Sequence, residues 1–298
     1  MSELKIGLIG LDTSHAPSFA SMFNNEASPH YIEGARIAAA FPGGSPDFDL
    51  SWNRVAGYTK QIHEEFGVAI LDSAAAVAQN CDAVIMSSVD GRAHLGLFRE
   101  IAPYGKPVFI DKPFTTTSAD AHAIAELAGQ YGVALMTCSS LRYAAPLVEA
   151  LAEGEEVVGA DCSGPMEIQP TQTGLFWYGI HSVEMLYRIL GRGCATVRAV
   201  TTEKHEFVTG VWTDGRIGTV RGTRTGNWSF NAVLSHAKST RYVATQPHPT
   251  PPDVFMVNDI LAMFRGGAPT IEIEESLEIV RFIEAANESR ESGAVVSL

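Results

Sequence analysis

Four short stretches of this sequence place titratable or hydroxyl side chains directly after, or at the start of, apolar runs. They are IGLDTSHAP (Ile9–Pro17), SSVDGRAH (Ser87–His94), FIDKPF (Phe109–Phe114) and GLFWYGIHSVEMLYRIL (Gly174–Leu190). In the first, a strand-like run meets a turn at Gly10, where a parallel α/β sheet can point free helix N–H groups at a pyrophosphate. The usual glycine fingerprint there has three glycines, but Asp12 and His15 occupy the second and third positions. Asp12 adds a negative charge, whereas Thr13, Ser14 and His15 add hydrogen-bond donors. The alternative reading is a helix simply capped by Asp12 or Thr13.

The second candidate strand, ending at Phe41, carries no acid at its tip for ribose hydroxyls and continues as PGGSPD. Ser45 or Asp47 could reach in from that loop, and no basic residue stands ready for a 2′-phosphate. These residues therefore make no choice between NAD and NADP as a dinucleotide ligand. Lys112 follows a buried strand, and Pro113 keeps it extended. With Asp111 it would face the same crevice as Asp12, because ligands bind beyond the carboxyl ends of such strands. His181 opens an apolar helix. Imidazole suits proton transfer near neutral pH, although a histidine on an apolar face is more often a satisfied core residue. Glu184 lies one turn on, and Trp177 and Tyr178 offer flat surfaces for a sugar ring.

The elements that must position these groups are legible as texture. Lys5–Gly10, Ile37–Phe41, Ala83–Ser87, Pro107–Ile110 and Val133–Thr137 read as buried strands. Helical spacing lies between them at His15–Asn24, Trp52–Phe66, Ala93–Ala102 and Ser118–Tyr131. The alternation predicts a doubly wound parallel sheet over residues 1–143, hence a Rossmann-type α/β domain. Residues 144–298 predict an α+β domain with an open, mostly antiparallel sheet, including strands at Thr196–Thr202, Glu206–Thr213, Arg216–Gly222 and Trp228–Leu234. Helices near Leu147–Glu153, His181–Leu190, Asp253–Phe264 and Glu274–Ser292 accompany it. The last two are candidates to pack back on the first domain.

The 298 residues are 46% hydrophobic and 18% charged, enough for a buried core. A net charge of -13 disfavours nucleic-acid or anionic-membrane partners. Four scattered cysteines form no C-x-x-C pair, so no disulfide framework or metal site is expected, and a reducing, cytoplasmic setting fits. No signal peptide is read at MSELKIGLIG, and no run is long enough to span a bilayer.

In order along the chain, KIGLIG, DAVIMSSVDGRAHLGLFREIAPYGKPVFIDKPF, YGIHSVEMLYRILG and IEIEESLEIVRFIEAANESRESGAVVSL resemble the glucose–fructose oxidoreductase / inositol dehydrogenase / MocA family. The resemblance implies a Rossmann domain joined to an α/β domain with an open sheet, and a homo-oligomer, dimer or tetramer. It implies hydride transfer between nicotinamide and a secondary hydroxyl of a sugar, cyclitol or related polyol. It makes Lys112 of Asp111-Lys112-Pro113 the catalytic or orienting lysine and His181 the proton acceptor. Ser88 and His94 fall at cofactor-contacting positions, with Gly10, Asp12, Thr13, Ser14, His15, Phe41 and Asp111. Arg142, Trp177 and Tyr178 fall on the substrate side. The family's Asp-x-x-x-His pair is broken, because Trp177 stands where the Asp is expected. Two other functions stay open. One is a sugar- or metabolite-binding protein without turnover. The other is a metal-assisted hydrolase or lyase drawing on Asp12, His15, Asp90, His94 and His181.

Overall fold

The computed structural model describes residues 3–298 and resolves two compact units. The first comprises the chain up to Thr115 with Ala119–Thr137 and Val257–Ile273; the second comprises Thr116–Ser118, Cys138–Met256 and Glu274–Leu298.

The first unit is built on six strands: β1 (Leu4–Ile9), β2 (Ala35–Phe41), β3 (Ala69–Ile70), β4 (Ala83–Met86), β5 (Val108–Asp111) and β6 (Leu135–Cys138). Their order, β3-β2-β1-β4-β5-β6, is that of a doubly wound dinucleotide-binding sheet. Helices α1 (His15–Asn24), α2 (Asp49–Phe66), α3 (Ala74–Asn80), α4 (His94–Ile101) and α5 (Ser118–Tyr131) connect them. Every residue of β4 and β5 is buried, which is why these strands are continuous apolar runs rather than alternating ones. Chain reversals fall on glycines free to take positive φ, as at Gly67 ending α2 and Gly132 after α5. The short β3 and α3 were not expected from the sequence. Two strand residues carry no period, and α3 is an alanine-rich helix of about two turns, started by Ser73, whose Oγ accepts from Ala76 N at 3.1 Å.

Gly10, with φ of 90°, is fixed by close approach: a Cβ there would sit 2.3 Å from Ser88 N and 2.4 Å from Ser88 Cα. Both are backbone atoms, so no side chain can turn aside. Gly10→Ala should cost roughly 2–5 kcal/mol from overpacking and left-handed strain. A urea unfolding series measures it, and a loss below about 1 kcal/mol would contradict this packing.

The second unit carries a seven-stranded sheet. Its strands are β7 (Val157–Pro165), β8 (Cys194–Thr201), β9 (His205–Trp212), β10 (Ile217–Thr223), β11 (Asn231–His236), β12 (Thr240–Ala244) and β13 (Val296–Ser297). Their order is β12-β11-β7-β10-β9-β8-β13, and only the β10–β7 pair is parallel. Helices α6 (Ala145–Ala152), α7 (Gly179–Leu190), α8 (Pro252–Phe264) and α9 (Ile273–Ser292) complete the chain. Alternation along β9 and β10 buries one face, where Tyr187, Trp212 and Phe282 meet ring to ring. The other face leaves Val200, Ile217 and Tyr242 more than half exposed. The strand expected from Trp228 starts only at Asn231; Trp228 and Phe230 are instead recruited to a pocket described below. No helix among the described residues is long and apolar enough to cross a membrane.

Candidate active site

At the carboxyl ends of β1, β2 and β4, backbone bonds zip the first two strand tips together: Gly10 N to Phe41 O at 3.0 Å and Leu11 N to Pro42 O at 2.7 Å. Phe41 thus contributes its carbonyl, not its side chain, to this junction. Asp12 caps nothing. Its carboxylate is fully buried and accepts from Ser51 Oγ at 2.6 Å and Val89 N at 3.0 Å. Ser51 Oγ in turn accepts from Ser45 N at 2.8 Å. One carboxylate therefore ties together the loops after three strands. Burial raises the Asp12 pKa above the usual carboxylate range, against the opposing bonds from Ser51 and Val89. The residue that caps α1 by position is Ser14, which is exposed and makes no side-chain capping bond. Thr13 is buried, and its Oγ1 accepts weakly from His15 N at 3.4 Å.

A second bridge closes the rim of the same loops. Arg92 is held by buried Asp90, with Nε–Oδ1 at 2.9 Å and Nη2–Oδ2 at 2.7 Å, and by exposed Asp47, with Nη1–Oδ2 at 2.9 Å and Nη2–Oδ1 at 3.0 Å. Arg92 lowers the Asp47 pKa, so that carboxylate stays ionised. Sequence reading found Asp47 but no basic residue near it, because Arg92 arrives from the β4 loop 45 positions away.

The expected crevice residues Asp111 and His15 do come together, with His15 Nδ1 2.5 Å from Asp111 Oδ2. Burial pushes the Asp111 carboxyl up, but His15 and Lys112 together outweigh it and hold the pKa below its ordinary value. Asp111 also accepts from Lys112 N at 2.9 Å, and the Lys112–Pro113 peptide is cis. Lys112 is half-buried. His94 and Ser88 are both buried: the His94 ring nitrogens lie 2.8 Å from Phe114 O and 2.9 Å from Ser88 O. His94 thus pins the β4 loop to the segment after β5.

In the second unit, His181 lines an open pocket of about 750 Å³ with Tyr178, Trp228, Phe230, Gln246 and His248. Edge-on contacts to Tyr178 and Phe230, at centroid distances of 5.7 and 5.5 Å, fix its ring plane. Its Nδ1 lies 2.6 Å from Ser139 Oγ. Trp177 packs edge-on against Tyr178, and it is Tyr178 that lines the wall. Glu184 does not hold His181. It is buried with Arg142, Nη1–Oε2 3.0 Å, while Arg142 Nη2 reaches Glu275 at 2.5 Å. Burial pushes the Glu184 carboxyl up to about 7, opposed by Arg142. Arg142, expected to meet substrate, is thus a buried cation between two carboxylates, its guanidinium committed to them. Sequence reading missed Ser139, Trp228 and Phe230. Ser139 carried a usable signal, since it is another hydroxyl at a strand's carboxyl end.

The first-unit residues fit a dinucleotide with an altered grip. The Asp12 charge is turned inward onto Ser51 and Val89, and the start of α1 bears no side-chain cap. First-turn N–H groups and the exposed Ser14 are thus not engaged by that carboxylate. Residues 4–138 match the GFO_IDH_MocA model, an oxidoreductase family with an NAD-binding Rossmann fold. Over these residues the chain is similar to that family.

A candidate oxidoreductase of Salmonella typhimurium, YceM, is 27% identical over 151 residues, which are 51% of this chain and 43% of that protein. The matched region thus spans less than half of that relative. Among solved structures, an Agrobacterium radiobacter oxidoreductase in complex with NAD⁺, L-tartaric acid and magnesium superposes with a TM-score of 0.78 at 18% identity, covering 99% of this chain and 98% of that one. Scyllo-inositol dehydrogenase from Lactobacillus casei with bound NAD(H) and scyllo-inositol gives 0.79 at 15%, covering 99% of each. At such identity the likeness speaks to fold.

Proposed function

We propose that this protein is an NAD-dependent dehydrogenase acting on a secondary hydroxyl of a sugar, cyclitol or related polyol. The observation that carries the reading is His181 on the wall of an aromatic-lined pocket, in a chain whose residues 4–138 match the model of an NAD-binding family. Nicotinamide, when bound, supplies hydride exchange with carbon. The chain's own residues do the rest. Ser14 and the α1 amides hold phosphate oxygens, and Asp47, fixed by Arg92, accepts from ribose hydroxyls. In the second unit Tyr178, Trp228 and Phe230 offer faces to a ring and His181 meets the substrate oxygen; in the first, Lys112 is the catalytic or orienting cation. We further propose that the open face around Val200, Ile217 and Tyr242 joins subunits.

Titration of the protein with NAD⁺, NADH, NADP⁺ and NADPH by calorimetry tests the reading. Saturable binding of the NAD pair is expected, with the NADP pair weaker by about tenfold or more, because Asp47 and Asp90 would oppose a 2′-phosphate across roughly 1.4 kcal/mol of repulsion. No binding of any of the four at millimolar concentration would remove the dehydrogenase reading. A second reading is a sugar-binding protein without turnover, favoured by Trp177 in place of the carboxylate that the resemblance pairs with His181. Polyol binding with no redox change in the presence of bound NAD⁺ would select it.

A further inference from the structure

Ser139 is fully buried, and its surroundings leave little freedom for its hydroxyl. Its backbone N–H donates to the Glu184 carboxylate, and its carbonyl accepts from Arg142 N at 3.2 Å. Its Oγ accepts from Leu141 N at 3.3 Å and lies 2.6 Å from His181 Nδ1. A buried hydroxyl keeps its hydrogen on an acceptor. Leu141 N–H is a donor, so among the described contacts of Oγ the acceptor is Nδ1.

This inverts what a carboxylate would do in the same place. A carboxylate only accepts, so it draws the imidazole proton to Nδ1 and leaves Nε2 as a bare lone pair, a base. A hydroxyl that donates to Nδ1 puts the proton on Nε2. Glu184 cannot restore the carboxylate arrangement, because Arg142 and the Ser139 amide already engage it.

We infer that Ser139 holds His181 as its Nε2–H tautomer, so that this pocket presents a hydrogen-bond donor rather than a base to its ligand and favours the carbonyl form of a cyclic polyol over the alcohol. The tautomer follows from the Ser139–His181 contact alone; the ligand class rests on the function proposed above. A ketone oxygen has two lone pairs to meet an N–H and no proton to surrender. An alcohol in the same place finds no ready acceptor for its proton on His181.

The test uses the full chain labelled with ¹⁵N-histidine at pH 8, with the His181 signals assigned by their loss in His181→Asn. Nitrogen shifts distinguish the two neutral tautomers. Wild type should show Nε2–H. Ser139→Ala, which removes the donor with little change in volume, should shift the population toward a mixture, and Ser139→Asp should turn it to Nδ1–H. Nδ1–H in the wild type, or no change in Ser139→Ala, would overturn the inference. In parallel, calorimetry compares scyllo-inositol with its monoketone in the presence of NAD⁺. The ketone should bind tighter by about tenfold, the cost of one hydroxyl proton left without an acceptor, and equal or reversed affinities would refute the ligand half. If Nε2–H is found but neither ring binds, the tautomer stands and the polyol reading fails. If the polyols bind but His181 is Nδ1–H, the function stands and this inference fails.

Discussion

Lys112→Met should lower turnover of any polyol found as substrate by about 10²–10⁴, the usual contribution of one positioned polar group at the reacting atoms. The unbranched side chain keeps most of its length and loses its charge. The lysine backbone stays bonded to Asp111, and His15 remains against that carboxylate at 2.5 Å. Fold and dinucleotide affinity should therefore change little, and the loss should appear in kcat rather than in the dissociation constant of NAD⁺. A Lys112→Met enzyme within threefold of wild type would exclude the lysine from the chemistry. Combining it with His181→Asn tests whether the two act on one oxygen. If they do, the double variant should fall little below the worse single one.

The largest expected effect on stability comes from Arg142→Met. The guanidinium sits between Glu184 and Glu275 with little exposure, and removing one partner of a buried ion pair costs about 3–5 kcal/mol. Arg142 is itself held fully charged by those carboxylates, its pKa raised against the opposing pull of burial. The cost should depend on pH. The Glu184 pKa is raised in the folded protein, from 4.5 to about 7, so its contribution is present below the ordinary value and is lost as pH rises through about 7. Without Arg142 the folded pKa climbs further, and the variant should be markedly more stable at pH 5 than at pH 8. Urea midpoints at the two pH values measure this. A variant as stable as wild type at pH 8 would show that Arg142 is not the counter-charge of this cluster. Adding Glu184→Gln should recover part of the loss, since an amide needs no cation.

Much of the architecture could be read along the chain. Buried parallel strands must be continuous apolar runs, so β1, β2, β4, β5 and β6 announced themselves. The polar residues just past their ends, Gly10 to His15, Ser87 to His94 and Asp111–Lys112, followed from the rule that ligands meet such sheets at those ends. Helix and strand periodicities are set by neighbours within a few residues, and local sequence therefore determines them. The short β3, α3 and β12 escaped because so few residues carry no clear period.

Pairing belongs to the tertiary structure. Asp12 was legible as an oddity at a glycine position, but its partner Ser51 lies 39 residues on and the Val89 amide 77. Arg92 and Asp47 are 45 residues apart, and Ser139 and His181 are 42 apart. Arg142 read as a ligand contact until packing set it against Glu275, 133 residues away. Each outcome was decided by which loops the strand order gathers at one sheet edge and by the cost of burying a charge without a partner. A one-dimensional pattern holds neither quantity, since the first arises from topology and the second from depth below the surface.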